Sequence, residues 1–275
     1  MSGPVITLLT DFGLSDAYVG AVKGVVLGVN PQATLVDLTH DVSPQDVLQG
    51  AFLLGTAWRY FPAGTIHVAV VDPGVGTERR ALLLEAHDHL FLTPDNGLLT
   101  FILPPQDADT PLYQPYRARL PQGFRAYALT NPRYWRHPVS TTFHGRDIFA
   151  PVAGHLSLGV SSQEFGEPVD AIIRLAVPVP HWRDGLLLGH VVHIDRFGNV
   201  VTTVPEAALA GKGEGEVEVE VGGSKIRGLV RTYADANGLA ALIGSHGYLE
   251  IALTNGSAAR ALGVKVGDEV KVRRE

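Results

Sequence analysis

The sequence predicts an α/β fold with an N-terminal doubly wound, mostly parallel sheet domain followed by a smaller C-terminal all-β, barrel-like domain. Three observations lead there. Short β-rich apolar runs alternate with helical periodicity over the first part of the chain. A proline-bearing stretch without helical period follows, and beyond Gly185 only short alternating segments remain. A length of 275 residues accommodates two domains at about 100–200 residues each.

The first run, VITLLT at residues 5–10, ends in Asp11-Phe12-Gly13. Ser15 then stands where a helix cap is expected, ahead of Tyr18, Val19, Val22 and Val25-Val26 at helical spacing. Residues 34–39 repeat the strand. After His40-Asp41, Ser43 is the expected cap of a second helix, with Pro44 at its first position and Asp46 near its positive end, running to about residue 60. Residues 66–71 form a third buried strand that enters the glycine-rich VDPGVGTERR at 71–80. Strands at 81–86 and 90–92 come next, and TPDNGLLTFIL turns at Asp95-Asn96-Gly97 and opens a short helix. Residues 119–124 fit neither pattern, whereas the apolar IFAPVAGHLSLGV after Phe143-His144-Gly145-Arg146-Asp147 reads as a helix. Residues 167–184, with Pro168, Pro178 and Pro180, read as a linker between an α/β domain at 1–166 and a β domain at 185–275. In the latter, strands are expected at 186–194, 200–204, 216–221, 225–230, 247–253 and 269–273.

Composition narrows the function. The formal net charge of −6 argues against a nucleic-acid groove or an anionic membrane surface as partner and suits a small neutral or cationic ligand. The absence of cysteine removes disulfides, thiolate metal sites, Cys nucleophiles and iron–sulfur clusters. The N-terminal residues lack a basic segment and their apolar run stops at Asp11, and no apolar stretch reaches the ~18 residues of a membrane span, so the cytoplasm is the expected location.

Ligands of a doubly wound sheet lie beyond the carboxyl ends of its strands, where Asp11, His40 with Asp41, and Asp72 fall. Four neighbourhoods concentrate polar groups: TDFG at 10–13, VDPGVGTERR at 71–80, TFHGRD at 142–147 and IDRFGN at 194–199. Each also has a plain structural reading. Asp11 and Asp72 can cap turns, Arg79-Arg80 can be a solvated pair, His144 can be a bonded core histidine, and Asp195, Phe197 and Asn199 can form a turn.

Taken together with TPDNGLLT, TYAD, SHGYLEIA and the opening TDFGLSDAYVGAVKG, these blocks resemble the S-adenosylmethionine hydroxide adenosyltransferases, relatives of the S-adenosylmethionine-dependent fluorinase and chlorinase. The resemblance covers nearly the whole chain in the same order. It implies displacement of methionine from ribose C5′ of S-adenosylmethionine by water or hydroxide, giving adenosine and L-methionine. It also implies a homotrimer with each site between the first domain of one subunit and the β domain of its neighbour. Asp72, Arg79 and His144 match the polar triad that holds the nucleophile, and Asp11 matches the carboxylate that accepts both ribose hydroxyls. In the β domain Asn199 matches an adenine-recognising amide, and Phe197 and Tyr233 match aromatic walls. Asp195 and Ser245 match groups that hold the methionine ammonium and carboxylate, with Glu250 a further substrate-binding candidate. Substrate apart, no cofactor or metal is implied. Where the fluorinase has tyrosines this chain has Asp72 and His144, it has Gly145 in place of the serine at the halide position, and it lacks a long insertion between Arg80 and Thr93. All three departures favour water over halide.

The residue types suit that chemistry. A sulfonium leaves as neutral methionine and needs no acid. Full prior deprotonation of water (pKa 15.7) by an ordinary carboxylate near 3.9 costs about 16 kcal/mol, so the expected role of Asp72 and His144 is to align one water with the C5′–S bond and take its proton as the bond forms, while Arg79 stabilises hydroxide character. Two other readings are open on the residues alone. One is a divalent-metal phosphohydrolase using Asp11, Asp37, His40, Asp41 and Asp72, for which no tight ligand motif appears. The other is a module that binds S-adenosylmethionine or adenosine without turnover.

Overall fold

The computed structural model describes residues 3–209 and 217–274, and the chain divides into two units, one of residues 1–104 with 114–175 and one of residues 105–113 with 176–275. In the first unit the strands and helices follow in the order β1 (Val5–Thr10), α1 (Tyr18–Val29), β2 (Thr34–Thr39), α2 (Val47–Ala57), β3 (Ile66–Val70), β4 (Ala81–Ala86), β5 (His89–Pro94), β6 (Pro115–Arg119), β7 (Arg125–Ala128), α3 (Ala150–Ser157), β8 (Pro168–Val169) and β9 (Ala171–Leu175). A seven-stranded sheet runs β2-β1-β3-β5-β4-β7-β8. Its first four strands are parallel and the remainder antiparallel.

Alternation along the central strands fills two cores. Leu8, Val68, Val70 and Leu83 pack with α1 and α3 through Val22, Val26 and Val152. Their neighbours Leu9, Ala69, Val71, Leu82 and Leu84 pack with Leu54 of α2 on the opposite face. Strands buried on both faces read as continuous apolar runs, which is why they are legible in sequence. One polar row breaks the second core: Thr7 Oγ1 meets His67 Nδ1 at 2.8 Å, and His67 Nε2 meets His89 Nδ1 at 3.0 Å.

Several expectations are corrected. Ser15 does not cap α1, which starts after Ala17 once an exposed bend brings Val19 to the core. The cap of α2 is Asp46, accepting from the Gln49 N–H, and not Ser43. Gln45 has a left-handed backbone (φ 66°), so no helix can pass through it from Pro44. The TPDNGLLT segment makes isolated turns and no helix, with Gly97 at φ 114° pressed against Leu175. Within 167–184 the chain is not free: β8 joins the main sheet, and β9 pairs with β6. The buried Ala171, Ile172 and Leu175 supply the reason, since the prolines flank this strand and leave its ladder intact.

The second unit contains β10 (His181–Arg183), β11 (Leu186–Ile194), β12 (Val200–Pro205), α4 (Glu206–Leu209), β13 (Val217–Val221), β14 (Ser224–Arg227), β15 (Leu239–Ile243), β16 (Tyr248–Leu253), α5 (Ala258–Leu262) and β17 (Glu269–Arg274). Its antiparallel sheet runs β14-β13-β17-β11-β12-β16-β15, with β10 beside β11. A bridge between Leu229 and Ala241 brings its two ends together, giving a nearly closed barrel around Val191, Val219, Ile251 and Val272. Glu216, expected to begin a strand, lies outside the described residues. The strand expected at 225–230 stops at Arg227 because Gly228 turns at φ 73°. β15, LAALI, goes unread in the sequence because it lacks β-branched alternation.

Candidate active site

In the first unit three parallel strands deliver their ends to one edge. Leu9 of β1 is opposite Thr39 of β2, and Thr10 is opposite Val70 of β3. Asp11, His40 and Asp72 therefore follow adjacent strand ends. Asp72 opens a tight loop, with Val75 N–H bonded to its carbonyl and Thr77 N–H to that of Gly74. The loop returns Arg79 onto the Asp72 carboxylate, Nε lying 2.9 Å from each oxygen and Nη2 also on Oδ2. The same Nη2 lies 2.8 Å from His144 Nδ1. Asp72 and Arg79 are largely shielded, their side chains 6% and 10% exposed, and the guanidinium packs over the Phe149 ring. The sequence-predicted triad is thus one hydrogen-bonded unit.

Its electrostatics are set by burial. Desolvation, then the Arg79 charge, hold His144 below its ordinary pKa of 6.5 against the opposing pull of Asp72 and Asp147. The imidazole is neutral at pH 7. Arg79 has only donors, so His144 Nδ1 is an acceptor and the ring proton resides on Nε2. His144 leads into a π-helical turn, Gly145–Phe149, before α3. That turn is anchored by fully buried Asp147, which receives Arg146, Arg136 and the Ser140 N–H. Burial alone raises the Asp147 pKa, but these donors outweigh it and keep the carboxyl below the usual range.

Asp11 and His144 are linked through their neighbours. A Cβ on Gly145 would stand 3.3 Å from Phe12 Cζ, and Phe12, Tyr18 and Phe143 form a mutual edge-to-face trio at 5.2–6.1 Å. Asp11 Oδ2 accepts the Gln45 N–H at 2.9 Å, which accounts for the bent backbone at Gln45. Arg80 differs from Arg79. It turns to Asp95 (Nε to Oδ2 2.9 Å) and the Ala171 carbonyl, while Asp95 Oδ1 accepts the Ile173 N–H. The five groups weighed as metal ligands do not converge. Asp37 pairs with Lys23 and His40, Asp72 with Arg79, and no group of three His, Cys, Asp or Glu is arranged to hold an ion among the described residues.

In the second unit Asp195 shapes its own turn, Oδ1 accepting the Phe197 and Asn199 N–H groups and Oδ2 the Asn199 amide, each at 2.9 Å. This fills three of roughly four acceptor positions of a carboxylate. Phe197 is 77% exposed and Tyr233 52%. The Tyr233 hydroxyl donates to Glu250 Oε1 at 2.7 Å, and His246 Nε2 lies 3.2 Å from Glu250 Oε2. Burial, the Glu250 bond and the Glu250 and Asp195 charges push the Tyr233 hydroxyl up to about 12. Glu250 itself is buried behind Tyr233. Ser245 is exposed in the turn between β15 and β16. The antiparallel pairing of Val201 with Glu250 brings the Asp195–Asn199 turn and the Glu250 cluster to neighbouring strands. Sequence reasoning missed His246, whose i, i+4 spacing from Glu250 in SHGYLE was the available signal.

Residues 6–166 match the model of the SAM hydroxide adenosyltransferase N-terminal domain, and residues 189–271 that of the corresponding C-terminal domain. The chain belongs to the SAM hydroxide adenosyltransferase family. Relatives of this family member include an (R)-S-adenosyl-L-methionine hydrolase of Thermus thermophilus, 38% identical over 97% of this chain and 98% of its own length. One of Salinispora arenicola is 38% identical over 98% of each chain, and a fluorinase of Nocardia brasiliensis is 28% identical over 98% and 97%. The crystal structure of an uncharacterized conserved protein from Thermotoga maritima superposes with a TM-score of 0.84 at 32% identity, covering 98% of this chain and all of that one.

Proposed function

We propose that this SAM hydroxide adenosyltransferase family member is an enzyme that hydrolyses S-adenosyl-L-methionine at ribose C5′ to adenosine and L-methionine. The carrying observation is that Arg79 gathers Asp72 and His144 into one shielded triad at the carboxyl edge of the sheet. Water attacks C5′, the C5′–S bond breaks, and its electron pair returns to sulfur as neutral methionine. His144, with its proton on Nε2, orients the water by donating, and the proton released passes to the Asp72 carboxylate as the C–O bond forms. Arg79 stabilises the negative charge that develops on oxygen.

Asp11 accepts the ribose hydroxyls. Asn199 pairs with the adenine edge, since one amide N–H goes to Asp195 while a carbonyl and a second N–H remain for a base. The exposed rings of Phe197 and Tyr233 stack on that base, worth about 1–3 kcal/mol by analogy with nucleic-acid stacking. Asp195 keeps one acceptor direction for the methionine ammonium, Ser245 meets its carboxylate, and Glu250 supports Tyr233. The working form is a homotrimer in the cytoplasm, in which the first-unit groups of one subunit act with the second-unit groups of another. Family membership over both units supports this, and no described helix is long and apolar enough to cross a membrane. Sedimentation of the full chain measures the assembly.

Incubation with S-adenosyl-L-methionine in heavy-oxygen water, followed by chromatography and mass spectrometry, tests the reaction. Labelled adenosine and methionine are expected, in EDTA as without it. Bound but unconverted substrate identifies a binding module instead. Recovery of activity only with a divalent ion identifies a metal enzyme. In molar chloride little 5′-chloroadenosine is expected, because the Asp72 carboxylate repels an anion that must also shed its hydration.

A further inference from the structure

His40 lies at the end of β2 and the proposed chemistry does not use it, yet it is almost fully buried. Its Nδ1 is 2.8 Å from Thr10 Oγ1, and that oxygen accepts the Phe12 N–H at 3.2 Å. Its own carbonyl accepts the Gly13 N–H at 2.8 Å. On the far side Nε2 lies 3.1 Å from Asp37 Oδ1, while Asp37 Oδ2 accepts Lys23 Nζ at 2.6 Å. Burial raises the Asp37 pKa, but Lys23 and His40 outweigh it, so Asp37 is an ionised acceptor. Asp37 lies at ion-pair distance from Nε2 without hydrogen-bond geometry, and its charge favours the ring proton on that nitrogen. Nδ1 then accepts the Thr10 hydroxyl proton, and Thr10 Oγ1 accepts from Phe12. The imidazole thus orders Thr10 and, through its hydroxyl, the Phe12 N–H on either side of Asp11, while the His40 main chain holds Gly13.

We propose that His40, acting through Thr10, is a positioning residue that fixes the Asp11 carboxylate for a vicinal diol, and so sets the preference for ribose over deoxygenated sugars. This rests on the reading of Asp11 as the ribose carboxylate. His40 touches no substrate. A carboxylate that must accept two hydroxyls at once has little angular tolerance, so freedom in the 10–13 loop affects the diol more than any other part of the ligand.

The test is calorimetric titration of the full-length protein with adenosine and with 2′,3′-dideoxyadenosine. The wild type is expected to prefer adenosine by at least about tenfold, the value of one to two well-made hydrogen bonds. His40→Ala and Thr10→Val are expected to reduce that preference to under about threefold with dideoxyadenosine affinity unchanged, and Thr10→Ser, which keeps the hydroxyl, to retain it. Should His40→Ala fail to fold, the Thr10→Val and Thr10→Ser pair decides. Variants that keep the wild-type preference, or that lose both affinities in parallel, overturn the positioning role alone. A wild type without preference overturns the ribose reading of Asp11 and this inference with it.

Discussion

Arg79 Nη2 donates to His144 Nδ1 at 2.8 Å, and because a guanidinium offers no lone pair in return, this single contact fixes which nitrogen of His144 carries the proton. The histidine is a donor toward the site and Asp72 is left as the acceptor. The same contact explains why an arginine is needed, since its planar fork reaches two differently placed acceptors at once.

Arg79→Lys keeps the charge and loses the fork. Turnover is expected to fall about 10²–10³-fold, the scale seen when one oriented transition-state donor is removed, with adenosine affinity within about twofold of wild type. Steady-state kinetics together with adenosine titration measure both, and a variant with normal kcat contradicts the role.

The pH profile carries the tautomer. Protonation of Nδ1 would set an N–H against that of Arg79, so activity needs the neutral ring. Burial and Arg79 lower the His144 pKa, so the acid limb of kcat/KM is expected to have its midpoint below pH 6.5. An acid limb centred above pH 6.5 contradicts this.

Asp11→Ala and Asp72→Ala should separate binding from chemistry. The first is expected to weaken adenosine and substrate binding by about tenfold or more, and the second to lower kcat with adenosine affinity nearly intact. If saturated Asp72→Ala turns over normally, its assignment as proton acceptor is wrong.

Stability has its own pH dependence, from His67. Burial, reinforced by His89, lowers its pKa to about 3. In the unfolded chain it titrates near 6.5, so below that value the unfolded state binds the extra proton. The contribution is fully present above pH 6.5 and is lost as pH falls toward 3, amounting to roughly 2–3 kcal/mol by about pH 4.5. Urea denaturation across this range measures it, and His67→Gln is expected to flatten the slope.

Asp95→Ala tests the architectural arginine. It leaves Arg80 and the Ile173 N–H without their acceptor, and an expected loss of about 2–4 kcal/mol in unfolding free energy leaves kcat per folded molecule unchanged.

Much of this was legible in the sequence because doubly buried strands are apolar without interruption, and because Asp11, His40 and Asp72 stand at the ends of such runs. Other features depended on contacts far along the chain. Gln45 is bent by a bond to Asp11, and that moves the helix cap to Asp46. β6 and β9 gain strand character from pairing with each other across some fifty residues of chain. Nothing local distinguishes Arg79 from Arg80, or reveals that Glu250 meets Tyr233 from seventeen residues away.

Those two adjacent arginines have a consequence for how the loop can change. One sits with the Phe149 side of the sheet and the other with the Asp95 side, so strand parity assigns each its task. Adding or removing one residue between them and β4 would exchange the reactive cation for the architectural one even though both side chains survived. The junction of Arg80 with Ala81 therefore behaves as a phase rather than a spacer. Gly76, where any Cβ would meet the Thr141 carbonyl at 2.4 Å, fixes the loop ahead of the two arginines separately. Point substitutions leave the phase intact, whereas indels of odd length at that junction reverse it.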